Sequence, residues 1–139
     1  MGSIWYISWG KGVFFMEKKK ILIIEDDNIL QEALREFLTA EGFETLSALD
    51  GEDGIKIGKE KKPDLILLDI ILPKMDGYEV LKVMKEDESA KNIPIIILTN
   101  LGSLNDVEKA LNLGATTYLI KADYKLAEVT NKIKEVLNM

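Results

Sequence analysis

Three uninterrupted aliphatic runs constrain this chain more than any other feature: KILIIE (20–25), DLILLD (64–69) and IPIIILT (93–99). A run with no polar residue at alternate positions is what a strand buried on both faces requires, and such strands belong to parallel sheets covered by helices on either side. The stretches between them have helical period. Residues 28–41, NILQEALREFLTAE, place Ile29, Ala33, Leu34, Phe37 and Leu38 on one face, and Gly42 follows as a stop. FETLSAL (43–49) reads as a second strand, and GEDGIKIGKEKK (51–62) as a helix with Asp50 as its cap and Pro63 ending it. A helix over 77–86 follows the third strand, and one over 103–113 is closed by Gly114. ATTYLIK (115–121) is a fifth strand, and a last helix over 123–137 carries the stripe Leu126, Val129, Ile133, Val136 and Leu137. Five strands, each followed by a helix, predict one α/β domain with a parallel sheet and helices on both faces.

Composition narrows the chemistry. The 139 residues include no histidine and no cysteine. That removes Ser-His and Cys-His nucleophile pairs, the usual zinc sites, disulfides and any phosphohistidine within the chain. A net charge of −6 argues against binding nucleic acid by neutralising its phosphates. Without cysteines the simplest compartment is the cytoplasm.

Residues 1–16, MGSIWYISWGKGVFFM, differ from the rest. Trp5, Tyr6, Trp9, Phe14 and Phe15 are five of the chain's ten aromatics, and Lys11 is the one charge. The stretch has no basic start or small-residue cleavage site, and it is too short to span a bilayer. Gly10-Lys11-Gly12 between two apolar runs suits a hairpin. We read this segment as an N-terminal extension, an expression scar or an upstream start with Met16 as the natural first residue, and residues 17–139 as the domain. A self-association patch is the functional alternative.

In open α/β sheets, ligands bind beyond the carboxyl ends of the strands. Those ends carry Glu25-Asp26-Asp27, Asp69, Thr99-Asn100 and Lys121. Carboxylates crowded on one edge repel each other and need a cation, and Lys121 alone is too little. Oxygen-only ligands suit Mg²⁺, which takes one or two carboxylates, keeps waters and bridges to phosphate.

The motifs IIEDD (23–27), DIILPKMDG (69–77), ILTN (97–100) and YLIK (118–121) make the chain from about 19 to 138 resemble the receiver domain of two-component response regulators. The resemblance implies a flavodoxin-like, CheY-like fold with strand order 2-1-3-4-5. It implies Asp69 as phosphoacceptor, with Mg²⁺ held by Glu25, Asp26, Asp69 and the backbone carbonyl of Ile71. By the same resemblance, Thr99 hydrogen-bonds a phosphoryl oxygen, Lys121 pairs with the phosphate or with Asp69, and Tyr118 is a switch aromatic that follows Thr99. The phosphoryl donor is then a histidine kinase or phosphotransfer protein, with small donors such as acetyl phosphate also accepted. The chain would catalyse its own phosphorylation without being a classical enzyme. With no effector domain in the sequence, output would run through a protein target, or a homodimer, on the face of the fourth helix, fifth strand and fifth helix. Neither nucleic acid nor membrane is an expected partner.

Some positions depart from the family's pattern. Ala122 stands where proline is usual, so a trans Lys121–Ala122 bond is expected, with Lys121 re-aimed. Asn100 replaces a small residue and narrows access to the phosphoryl group. Ile71 and Leu101 occupy two positions that tune hydrolysis in relatives; both are apolar, so slow self-dephosphorylation is expected. The alternative function is a pseudo-receiver that binds partners without being phosphorylated. An FMN protein would need a Ser/Thr/Gly-rich phosphate cradle after the first strand, where EDDN stands instead. A haloacid-type phosphatase would need an acid at Ile71, and no P-loop stretch is present.

Overall fold

The structure is a computed structural model that describes residues 4–9 and 12–139, with side chains from residue 17 onward. In chain order the strands are β1 (Ile4–Trp9), β2 (Gly12–Glu17), β3 (Lys20–Ile24), β4 (Glu44–Ala48), β5 (Leu65–Leu68), β6 (Ile95–Thr99) and β7 (Thr117–Ile120). The α-helices are α1 (Asn28–Ala40), α2 (Gly51–Lys61), α3 (Gly77–Glu86), α4 (Leu104–Asn112) and α5 (Leu126–Val136). β3 to β7 form a parallel sheet of order β4-β3-β5-β6-β7, which is 2-1-3-4-5 when counted from β3. β1 and β2 pair antiparallel in a separate sheet, from Ile4↔Glu17 to Trp9↔Gly12. That pairing is the register a hairpin needs; its Gly10-Lys11 connection lies outside the described residues.

The aliphatic runs are explained by two cores, one on each face of the sheet. Leu22, Ile24, Ile66, Leu68, Ile95 and Ile97 point to the side covered by α2, α3 and α4, where Val80, Leu81, Met84 and Ala110 meet them. Their neighbours Ile21, Ile23, Leu65, Leu67, Ile96 and Leu98 point to the other side and pack with Leu34 and Leu38 of α1 and Val129 and Ile133 of α5. Alternate residues therefore serve opposite cores, so Ile21–Ile24, Leu65–Leu68 and Ile95–Leu98 are apolar throughout. Each fully buried Leu or Ile contributes about 1.5–3 kcal/mol.

Helix starts are set by side chains at the sheet's carboxyl edge. Asp27 accepts the N–H groups of Ile29 and Leu30, Asp50 that of Asp53, Asp76 that of Glu79, and Ser103 that of Asp106. These caps satisfy donors that a helix start leaves open.

Two sequence expectations fail. Ile29 is 84% exposed; in the first turn of α1 the inward-facing residues are Leu30 and Gln31. The last helix begins at Leu126 and not 123, because Lys121–Asp123 form a 3₁₀ turn and Tyr124 and Lys125 are extended. Glu128 Oε1 accepts the Lys125 N–H at 3.0 Å, which fixes the start one turn later. β7 correspondingly ends at Ile120, one residue before Lys121.

Gly77 opens α3 against the end of β5, donating its N–H to Ile70 O at 2.8 Å. A Cβ there would strike the Asp69 carbonyl and Ile70 Cα, which are backbone and cannot yield; at Gly58 its one close contact would be the end of the flexible Met84 side chain, with Leu22 at ordinary contact distance. Gly77→Ala is therefore expected to cost about 1–3 kcal/mol, and Gly58→Ala to stay within about 1 kcal/mol of wild type. Urea unfolding midpoints check the ranking.

Candidate functional site

The carboxyl ends of β3 and β5, adjacent in the sheet, deliver Glu25 and Asp69 side by side. Both are buried, at 3% and 4% exposure, whereas Asp26 faces solvent. One carboxylate oxygen from each of Glu25, Asp26 and Asp69 lies within 4.8 Å of the others. Lys121 reaches in from beyond β7 and places Nζ 2.7 Å from Glu25 Oε1 and 2.8 Å from Asp69 Oδ2. The remaining oxygens are also held: Glu25 Oε2 accepts the Asp27 N–H at 3.1 Å, and Asp69 Oδ1 accepts the Ile71 N–H at 3.2 Å.

The electrostatics follow from burial. Desolvation raises the Glu25 carboxyl above its ordinary range; the Lys121 ammonium and the Asp27 N–H oppose this, and the nearby Asp69 charge adds to it. At Lys121, burial disfavours the ammonium, but hydrogen bonds to Asp69 and Glu25 outweigh it and leave the lysine raised. Three carboxylates against one ammonium leave a negative pocket, open on the side of Asp26.

Thr99 closes β6 and is fully buried; its Oγ1 accepts the Leu101 N–H at a long 3.5 Å. Tyr118, half-buried on β7, donates its hydroxyl to Leu101 O at 2.8 Å. Ile71 is 54% exposed at the mouth, Leu101 is half-buried, and Asn100 is exposed. Glu25, Asp26, Asp69 and Lys121 are thus brought together, while Thr99 and Tyr118 meet at the β6–α4 connection. The Lys121–Ala122 bond is trans, as are all peptide bonds among the described residues. The expected re-aiming of Lys121 does not occur: the 3₁₀ turn carries the residue back over the strand ends.

Two supporting groups were not visible in sequence. Gln31 is buried and its Nε2 donates to Ile23 O, Glu25 O and Ala48 O at 3.1–3.2 Å, pinning the backbone that carries Glu25. Its helical position beside Leu34 and Leu38 was the available signal. The second is Tyr78 at the start of α3, whose hydroxyl reaches Asp106 on α4; nothing in the sequence pairs these two.

Residues 21–134 match the response regulator receiver domain family. The chain belongs to that family. It is 36% identical over 122 residues to sporulation initiation phosphotransferase F of Bacillus subtilis, covering 88% of this chain and 96% of that protein. A receiver domain protein (CheY-like) from Methanospirillum hungatei superposes with a TM-score of 0.82 at 30% identity, covering 88% of this chain and 95% of that one. The receiver domain of the sensor histidine kinase PA1611 from Pseudomonas aeruginosa, with a magnesium ion coordinated in its active-site cleft, gives 0.80 at 28% identity, covering 88% and 99%. The chain spans about half the length of the curated transcriptional regulators it matches. Receivers of this family bind Mg²⁺ at an acidic site and interact with histidine kinases or phosphotransfer proteins.

Lys121→Met leaves two buried carboxylates without their ammonium and is expected to cost of order 3 kcal/mol in chelator at neutral pH. Because the folded lysine is raised, its contribution is complete below the ordinary lysine value of about 10.4 and is lost as pH climbs through the folded value. The gap between wild type and Lys121→Met in urea midpoint should hold from neutral to mildly alkaline pH and close above that.

Proposed function

We propose that this chain is a phosphoacceptor response regulator that takes a phosphoryl group on Asp69 and uses it to switch a partner-binding surface. The observation that carries the reading is the buried Asp69 carboxylate, held by Lys121 and grouped with Glu25 and Asp26 at an open strand end. A hard, oxygen-only set with surplus negative charge fits Mg²⁺, held by Glu25, Asp26, Asp69 and the Ile71 carbonyl. When bound, the ion would neutralise charge on the transferring phosphoryl group.

The residues then have distinct tasks. An Asp69 carboxylate oxygen attacks phosphorus, the P–N bond of a donor phosphohistidine breaks, and its electron pair leaves with the imidazole nitrogen, which takes up a proton. Lys121 leaves Asp69 Oδ2 for a phosphoryl oxygen, and Thr99 Oγ1 turns from the Leu101 N–H to donate to another. The 139 residues contain no histidine, so the donor histidine lies outside them, on a histidine kinase or phosphotransfer protein. Thr99, drawn towards the phosphoryl group, vacates space that Tyr118 fills, and the surface of α4, β7 and α5 changes. Leu104 and Leu111, 72% and 45% exposed on α4, offer apolar contacts to a protein target or a second copy. We assign residues 17–139 to the receiver unit and place 1–16 outside it. Cytoplasmic residence fits this role; among the described residues no helix is long and apolar enough to cross a membrane. A pseudo-receiver is disfavoured because every acidic and basic group the chemistry needs is present.

Incubation with acetyl phosphate and Mg²⁺, followed by intact mass, is expected to show one phosphoryl adduct that requires the metal and is missing in Asp69→Asn. An adduct that persists in Asp69→Asn would refute the assignment. In the same sample the adduct should decay slowly, because Ile71 and Leu101 offer no group to orient water, and Ile71→Asn should hasten the decay.

A further inference from the structure

Two tyrosine hydroxyls hold the β6–α4 connection, residues 100–103, and the first turn of α4 that follows it, and the switch described above uses only one of them. Tyr118 holds Leu101 O. Tyr78 directs its hydroxyl to Asp106, 3.1 Å from Oδ1 and 3.3 Å from the backbone oxygen. Asp106 is fixed in turn: Ser103 Oγ donates to Oδ2 at 2.7 Å and accepts the Asp106 N–H at 3.1 Å, capping α4. Lys109 Nζ sits 4.1 Å from the Tyr78 ring centroid and covers it. Tyr78 itself follows Gly77, whose N–H is bonded to Ile70 O next to the candidate acceptor. A short rigid path therefore runs from Asp69 through Gly77 and Tyr78 to the first turn of α4.

We propose that Tyr78 is a positioning residue whose hydroxyl ties the first turn of α4 to α3 in the resting protein and lets go when Asp69 is phosphorylated. The release half rests on the function proposed above. Burial and the Asp106 carboxylate push the Tyr78 phenol up to about 12, so the donor keeps its proton throughout the neutral range. The Ser103 hydroxyl, with help from Tyr78, lowers Asp106 against the effect of burial, so the acceptor stays ionised. A bond made only in the resting arrangement biases the equilibrium towards that arrangement, and its loss shifts population to the switched one.

Amide hydrogen exchange on peptides spanning residues 100–110 tests this, in wild type and in Tyr78→Phe, Asp106→Ala and the double variant. In resting protein, Tyr78→Phe should raise exchange there about threefold to tenfold, the factor one hydrogen bond supplies, with exchange in β3 and β5 unchanged. The double variant should exceed Asp106→Ala by less than Tyr78→Phe exceeds wild type, since Asp106→Ala removes the Oδ1 acceptor and leaves the hydroxyl only its longer contact to the backbone oxygen. With acetyl phosphate and Mg²⁺, the wild-type segment should rise to the level of Tyr78→Phe and the variant should gain little more. Equal exchange in resting wild type and Tyr78→Phe would overturn the bridge. A difference between them that survives phosphorylation unchanged would overturn its release. If no phosphoryl adduct forms at all, the reading of the pocket falls and takes the release with it, while the resting comparison decides the bridge by itself.

Discussion

The ammonium of Lys121 between Glu25 and Asp69 is the interaction on which the rest of the site depends. Two carboxylates almost without solvent contact cannot both stay ionised side by side unless a positive charge joins them. Sheet order decides which side chain can do this. Neighbouring strands lie about 4.8 Å apart, so β7 stands roughly 10 Å from β5, with β6 between. A lysine starting from the 3₁₀ turn after β7 is long enough to pass over the end of β6 and reach both acids. Thr99 closes β6, the strand that lies between the lysine and Asp69 in the sheet order.

Much of this was legible in the sequence because it obeys simple periodicities. Strands buried on two faces must be continuously aliphatic, and acids immediately after such runs must sit on the carboxyl edge. KILIIE, DLILLD and Asp69 followed that logic, and the cap at Asp50 was legible as an acid just before a helical run. Ile29 was misplaced because a hydrophobic stripe does not fix which residues of the first turn face inward; Leu30 and Gln31 do, and Ile29 faces solvent. The 3₁₀ turn at Lys121–Asp123 escaped notice because Ala122 and Asp123 are equally at home in an α-helix.

Gln31 and Tyr78 were missed for a different reason. Both act through tertiary hydrogen bonds whose partners are backbone carbonyls or a residue on another helix, and no local pattern encodes such a partner. Gln31 adds a side-chain donor to carbonyls at the carboxyl ends of β3 and β4, an arrangement visible only once the two strands are side by side. Its Oε1 is the one buried side-chain polar atom without a partner among the described residues, while the two Nε2 hydrogens are shared among three carbonyls. The polar structure beneath the acids is thus as tightly specified as the acids themselves.

The account stands on Asp69 being the group that receives the phosphoryl, with Lys121 and Thr99 turning towards it. A crystal structure of the protein with Mg²⁺ and beryllium trifluoride, a stable mimic of the phosphoryl group, tests this most directly. The account predicts the mimic on an Asp69 oxygen, one metal among Glu25, Asp26 and Asp69, and both Lys121 Nζ and Thr99 Oγ1 within hydrogen-bond distance of its fluorides. A mimic bound elsewhere, or a Lys121 still bridging Glu25 and Asp69 beside a vacant acceptor, would contradict it.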